Sequence, residues 1–444
     1  MKSINRQIVL FNLILFCCST AFSQENLATQ QLDDLVKKSI ATQYTNLENR
    51  YKDFHANPEL SFNEIRTASK LSAEMRAIGF EVTEKVGKTG VVAIFRNGPG
   101  PIVMIRTDMD ALPMEEKSGL PYASKIKTTW NERETYVAHS CGHDMHMTIW
   151  LGTARTLVEL KDHWKGTLMF IAQPAEELGS GAKAMLDDGL FTRFPKPDYA
   201  LALHTNPGLA DTVFYSHGPV TSAANNLEVT FFGRGSHGST PDKSIDPIIT
   251  ASRFIMDLQS VVSREKDPFE FGVVTVGSIH GGTSGNIIPD SVTLRGTIRS
   301  YSPEVRNKLL SGVRRMALAA AMASGAPEPE IKLDGGGYAV VNDDALTMKT
   351  EQVLQRSFGN DKVKKIRPLP TSEDFSEYGA AGVPSFFFLV GVNSEQDINE
   401  SMRAGGKPIP FNHSPYFAPV LQPTISTGVQ AMSLTVLNLL NKKE

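Results

Sequence analysis

The run Ile102-Val103-Met104-Ile105-Arg106-Thr107-Asp108-Met109-Asp110 reads as a buried strand that ends in charge. Apolar Ile102–Ile105 suits a strand covered on both faces, and the acids follow at once. The pattern recurs where Leu168–Ile171 leads into Gln173-Pro174-Ala175-Glu176-Glu177 and where Tyr199–Leu203 leads into His204. Val91–Phe95 and Phe386–Val390 are further apolar runs. Helical patterns cover Leu32–Arg50, Glu64–Ile78, Met147–Leu160, Gly181–Asp187 and Ile425–Leu440. Strands alternating with helices predict an α/β fold, a mixed sheet covered by helices on both faces. Ligands in open α/β sheets bind beyond the carboxyl ends of the strands. Three strands that deliver acids and a His to that edge therefore predict one site.

Between residues 222 and 334 the texture changes. Leu227–Phe232, Gly272–Ile279, Ser291–Ile298 and Glu330–Leu333 read as strands, and Ser244–Val262 and Pro303–Ala323 as helices. The order β-α-β-β-α-β is that of a split ferredoxin-like unit. The expected organisation is a catalytic domain of residues 24–221 and 335–444, interrupted by an α+β lid or dimerisation domain at 222–334. A chain of 444 residues exceeds what one core usually serves, which agrees with two domains.

Hydrophobic residues make up 41% and charged residues 21%, as in an ordinary globular protein. With a net charge of −3 and no basic or acidic run, no nucleic acid or anionic membrane is expected as partner. The first residues read as an address. Lys2 and Arg6 precede apolar Ile8–Phe16, and Ala21-Phe22-Ser23 fits a small-x-small cleavage rule. Residues 1–23 are thus expected to be a signal peptide cut after Ser23, leaving an exported protein, periplasmic or secreted. Cys17 and Cys18 would leave with it, and Cys141 would remain as the one thiol with no internal disulfide.

Ala138-His139-Ser140-Cys141-Gly142-His143-Asp144-Met145-His146 packs a thiol, three imidazoles and a carboxylate into nine residues. Cys141 and His143 lie two apart before a helix, so a loop can turn both side chains to one point. Thiolate with imidazole suits Zn²⁺ and its neighbours in softness. His139 and His146 could be ligands or supports. Glu177, His204 and His413 are the residues the fold is expected to bring up to this segment. Of the Glu176-Glu177 pair, one carboxylate can bind metal while the other takes a proton from water. Asp108 and Asp110 could orient a ligand His through its other nitrogen. In the inserted domain, Gly233-Arg234-Gly235-Ser236-His237 and Gly281-Gly282-Thr283-Ser284-Gly285-Asn286 place an imidazole and an amide on glycine-rich loops. Both could donate hydrogen bonds to a substrate carbonyl or carboxylate.

Together these motifs resemble the metallo-amidohydrolases and carboxypeptidases that include aminoacylase, hippurate hydrolase and carboxypeptidase G. The Cys-bearing subfamily with the plant indoleacetyl-amino-acid hydrolases is the nearest in pattern. The resemblance rests on His55-x-x-Pro58-Glu59-Leu60, Arg106-x-Asp108-Met109-Asp110-Ala111-Leu112-Pro113, His139-x-Cys141-Gly142-His143-Asp144-x-His146, Gln173-Pro174-Ala175-Glu176-Glu177, Gly233-x-Gly235-x-His237, Gly281-Gly282-Thr283-x-x-Asn286-x-Ile288-Pro289 and Ser372-Glu373-Asp374-Phe375. It implies a site for two divalent ions, Zn or Mn with Co or Ni as other candidates. Cys141, His143, Glu177, His204 and His413 would be the ligands, Glu176 the general base, and Asp108, His139 and Asp144 their supports. It also implies that His237 and Asn286 contact substrate, across a homodimer formed through the inserted domain. Other branches of the family use a His where this chain has Arg106, and an Asp that bridges the metals. Ser140 and Thr148 stand where the subfamily usually has Ala. The expected reaction is hydrolysis of an N-acyl amino acid, with a dipeptidase or carboxypeptidase acting on short peptides as the alternative. A non-catalytic metal-binding protein would require a lost base or ligand, and every expected position is filled.

Overall fold

The structure is a computed structural model that describes residues 4–335 and 337–440, with side chains from residue 30 onward. Among the described residues the large sheet has eight strands. Their order is Glu81–Val86, Gly90–Arg96, Thr167–Gln173, Ile102–Asp108, Tyr199–Leu209, Ser385–Asn393, Val213–Tyr215 and Val363–Lys365. The four from Thr167–Gln173 to Ser385–Asn393 are parallel. Gly90–Arg96 and Val213–Tyr215 flank them antiparallel, so the sheet is mixed.

Alternation along Ile102–Asp108 splits the interior in two. Val103 and Ile105 enter one core with Tyr51, Trp150, Phe170 and Val429. Met104 enters the opposite core with Met169, Met185, Tyr378 and Phe387. The first core is roofed by the helices Ile4–Ala56, His143–Glu159 and Leu421–Leu439. The Trp150 Nε1–H donates to the Ile105 carbonyl at 3.0 Å, which fixes the His143–Glu159 helix over the strand that leads to Asp108. The helices Gly181–Asp187 and Ser376–Ala380 cover the other face. The expectation of a mixed sheet with helices on both faces is met. One strand differs: it continues from Tyr199 to Leu209, so His204 lies inside it rather than after it. The cause is the neighbouring strand, whose Leu389 pairs with His204 and whose Asn393 pairs with Leu209.

A second sheet has the order Gly272–His280, Ser291–Ser300, Ala223–Phe232 and Glu330–Lys332, all antiparallel. The helices Pro247–Ser260 and Pro303–Ala323 pack on it through Phe254, Leu258, Leu309 and Val313 against Val229, Phe231 and Leu294. Each helix starts on a Pro behind a capping side chain. Asp246 accepts from the Ile248 and Ile249 amides, and Ser302 accepts from the Val305 amide. The unit is the ferredoxin-like lid of the sequence reading. The Ser244–Val262 helix starts later than expected, at Pro247 behind the Asp246 cap, and from Val261 it continues as a π-helical turn to Glu265.

The export expectation is corrected. A leader is cut where the chain is extended, but Ala21–Ser23 lie inside one continuous helix, Ile4–Ala56. That helix runs on into a segment whose Val36, Leu47 and Phe54 are core. No described helix is long and apolar enough to cross a membrane. The exported, periplasmic or secreted location is therefore dropped. Lys2 lies outside the described residues, as do the side chains of Arg6, Cys17 and Cys18. Cys141 is a free, buried thiol.

Candidate metal centre

Gly142 makes the geometry possible. Its φ of 94° turns the chain sharply between Cys141 and His143, and a Cβ there would stand 2.3 Å from Thr205 Oγ1. Cys141 Sγ then lies 3.4 Å from His204 Nε2. His204 donates through Nδ1 to the Thr205 carbonyl at 2.7 Å, which leaves the Nε2 lone pair facing the thiol. His143 donates through Nδ1 to the Asp110 carbonyl at 2.7 Å. Its Nε2 is buried and has no hydrogen bond. Around that nitrogen lie Asp108 Oδ2 at 3.8 Å, Glu176 Oε2 at 3.9 Å and Glu177 Oε1 at 3.9 Å. Glu177 Oε1 is a second buried atom without a partner. Glu177 Oε2 is 3.4 Å from the Nε2 of His413, whose own amide donates to the Ser140 carbonyl at 2.8 Å.

These donors fit divalent cations. Ligands about 2.0–2.3 Å from a tetrahedral ion sit roughly 3.3–3.8 Å from each other. The separations here are close to that size, and those of 3.8–3.9 Å around His143 Nε2 are too long for hydrogen bonds. Cys141, His143 and His204 form one group of mutually close donor atoms, and Cys141, Glu177 and His413 form another, with the thiol common to both. The orphaned His143 Nε2 and Glu177 Oε1 are the atoms such ions would satisfy.

His146 stays out of this group. Its Nε2 accepts the Thr205 amide at 2.8 Å, so the ring is neutral there and its Nδ1–H donates to Asp108 Oδ1 at 2.7 Å. Asp108 thus orients His146 and binds Arg106. Asp110 holds the acidic turn instead: its carboxylate accepts the Glu176 amide at 3.1 Å, the Glu177 amide at 3.0 Å and the Ser61 hydroxyl at 2.6 Å. Ala175, just before, has a φ of 50°, and its amide is accepted by Glu64 Oε1 at 2.9 Å. Glu64 was invisible as a contributor because nothing in sequence marks a left-handed alanine.

Arg106 is completely buried and binds Gln173, Asp108, Glu373 and Asp374 at 2.5–3.0 Å. Glu373 and Asp374 also lie close to Glu176. Burial pushes the Glu176 carboxyl well above the usual carboxylate range, and Glu373, Glu177 and Asp374 push it further. Burial lowers His139 to about 4, and neither of its ring nitrogens has a partner. Asp144 accepts the His55 Nδ1–H at 2.6 Å, while Glu116 accepts the Nε2–H at 2.9 Å. Burial opposes charging His55, but the two carboxylates outweigh it and raise the ring to about 10. His55 and Glu116 sit 61 residues apart, a pairing no local pattern reveals.

His237 lies on a short lid strand paired with Ile287–Ile288, and Asn286 directly precedes that partner strand, its carbonyl accepting the Gly238 amide at 2.8 Å. Both are exposed, and His237 Nδ1 is taken by Ser239. Among the described residues their hydrogen bonds remain within the lid.

A family model described as peptidase family M20/M25/M40 matches residues 104–404. The chain belongs to that family. M20 relatives include the hippurate hydrolase of Campylobacter jejuni, 37% identical over 345 residues that cover 76% of this chain and 86% of that protein. The N-acetyl-L-cysteine deacetylase of Bacillus subtilis is 35% identical over 351 residues, covering 78% and 80%. Among solved structures, the Bacillus subtilis YXEP protein, a dinuclear metal-binding peptidase of the M20 family, matches with a TM-score of 0.73 and 28% identity over 90% of this chain and 99% of that one. The resemblance read from the sequence motifs therefore holds, and the chain is an M20 hydrolase.

Proposed function

We propose that this M20 enzyme cleaves the amide bond of N-acyl amino acids. The observation that carries the reading is the convergence of Cys141, His143, Glu177, His204 and His413 beside Glu176, with Cys141 and His143 buried, Glu177 and His204 partly buried and His413 at the open side. The activities of the hippurate and N-acetylcysteine relatives support the substrate class. Two divalent ions, Zn or Mn with Co or Ni as other candidates, would be held by these five side chains and would supply an acidified water and a polarised carbonyl. Glu176 takes the proton from water and gives it to the leaving amine. Asp110 keeps Glu176 and Glu177 aimed at the site through their amides. Arg106 offsets the charge of Asp108, Glu373 and Asp374, which would otherwise oppose ionised Glu176.

In this reading residues 222–334 are a lid that also pairs two copies of the chain, and His237 and Asn286 bind the substrate carbonyl or carboxylate. The catalytic body is formed by the chain up to 221 and from 335. The peptidase name of the YXEP structure favours the alternative, a dipeptidase or carboxypeptidase with the same site. Metal-reconstituted enzyme is assayed on N-acetyl and N-benzoyl amino acids beside unblocked dipeptides. Preference for the acylated set supports the first reading, and preference for dipeptides replaces it with the second.

A further inference from the structure

A cavity of about 620 Å³, lined by none of the metal donors, lies where the lid joins the body. That size suits a small organic ligand. The chain crosses to the lid at Thr221–Ala223 and returns at Gly335–Val340. The two crossings are tied by the Val220 amide to the Val340 carbonyl at 2.8 Å and by Asn225 Nδ2 to the Gly335 carbonyl at 3.0 Å. Tyr301, Pro303 and Arg306 line the cavity from the lid, and Phe375, Val383 and Pro384 from the body. Any change in lid angle therefore changes its shape.

Its charged groups are Arg306 and Asp343, each only partly used. Arg306 uses Nε on Asn225 at 2.8 Å, and no other hydrogen bond of its guanidinium is found among the described residues. Asp343 also lines the wall and uses Oδ1 to cap the Asp344–Phe358 helix at the Leu346 amide. Ser376 lines it too and is buried at 4% exposure, yet its hydroxyl has no partner. The oxygen itself is shut off from the open cavity, so a rotation about χ1 is what brings it to a ligand there. One cation, one anion, several hydroxyls and apolar walls suit a zwitterion with an apolar body.

We propose that this cavity binds a free amino acid with a branched or aromatic side chain, and that the bound amino acid holds the lid at its present angle. The choice of amino acid rests on the proposed reaction, which releases one. The carboxylate meets Arg306, the ammonium meets Asp343 and the side chain fills the space beside Phe375 and Val383. A ligand that fits one lid angle stabilises that angle. The enzyme's own product then slows turnover from outside the catalytic site.

The test is calorimetric titration of the metal-loaded, full-length enzyme with L-phenylalanine, followed by inhibition kinetics. Arg306→Met should weaken the binding at least about tenfold and Ser376→Ala about threefold or more. Ser376→Ala removes an unsatisfied hydroxyl, so it should leave thermal stability unchanged or raised, which separates ligand loss from fold damage. Inhibition by L-phenylalanine should be noncompetitive in the wild type, with the noncompetitive part lost in both variants. Absence of binding, binding untouched by both substitutions, or purely competitive inhibition of the wild type would overturn the proposal. Binding that depends on Arg306 in an enzyme inactive on every acyl amino acid would keep the cavity site and reject the substrate assignment.

Discussion

Glu64 secures two awkward residues with one oxygen. Its Oε1 accepts the amides of Phe62 and Ala175, each at 2.9 Å, and both residues have positive φ. Burial, then repulsion from Asp110, raises its carboxyl from 4.5 to about 7. Between those values the folded chain binds the extra proton, so this group makes stability fall as pH rises from about 4.5 to about 7. Glu64→Gln keeps the acceptor and should flatten that part of the pH–stability curve relative to wild type, with activity largely retained. Glu64→Ala leaves buried amides unsatisfied and should cost on the order of 2–4 kcal/mol in denaturant unfolding. It should also lower kcat, because Ala175 leads into Glu176. A flat difference between wild type and Glu64→Gln across that pH range would show that Glu64 does not titrate there. Glu176 itself is tested by Glu176→Gln, which should keep full metal content and lose about 10²–10⁴-fold in kcat. Near wild-type turnover would remove it as the base.

At the scale of elements, the turn into the His143–Glu159 helix decides whether Cys141 and His143 can share a site. Gly142→Ala puts a methyl 2.3 Å from Thr205 Oγ1 at a φ that L side chains resist. The expected result is metal content well below stoichiometric, measured by atomic absorption, with a melting temperature lowered by several degrees. Full metal content at wild-type melting temperature would mean the turn has slack. The strands around this turn were readable, because buried parallel strands advertise themselves as apolar runs and the functional residues lie at or beside their ends. Cys141 and His143 were readable through sheer density. The open question of His146 was not, since a backbone amide of Thr205 answers it and amides leave no trace in sequence. The Arg106–Glu373 pair spans 267 residues, so only the folded sheet brings it together. The N-terminal misreading has the opposite origin: a short local pattern looked complete while the chain around it continued as helix.

At the scale of the molecule, the proposed homodimer addresses two features the single chain leaves open. The Gly272–His280 strand is the lid sheet's edge, with Val273 36% and Ile279 47% exposed, which is a pairing surface unless something covers it. His237 and Asn286 are exposed, with side-chain hydrogen bonds only to their own loops among the described residues. If the lid of one copy completes the site of the other, His237→Ala and Glu176→Gln damage different halves of the same composite site. Each homodimer alone should have little activity with normal metal content. A heterodimer of the two contains one site with both wild-type residues, so mixing and re-equilibrating the variants should restore activity, up to about a quarter of the wild-type rate for random pairing of equal amounts. Size-exclusion chromatography at assay concentration checks that the species is dimeric. Recovery on mixing places His237 in trans, whereas full activity of His237→Ala alone would remove it from the site. No recovery from a stable, exchanging dimer would confine the reaction to residues of one chain, and the lid would then have to close on its own body.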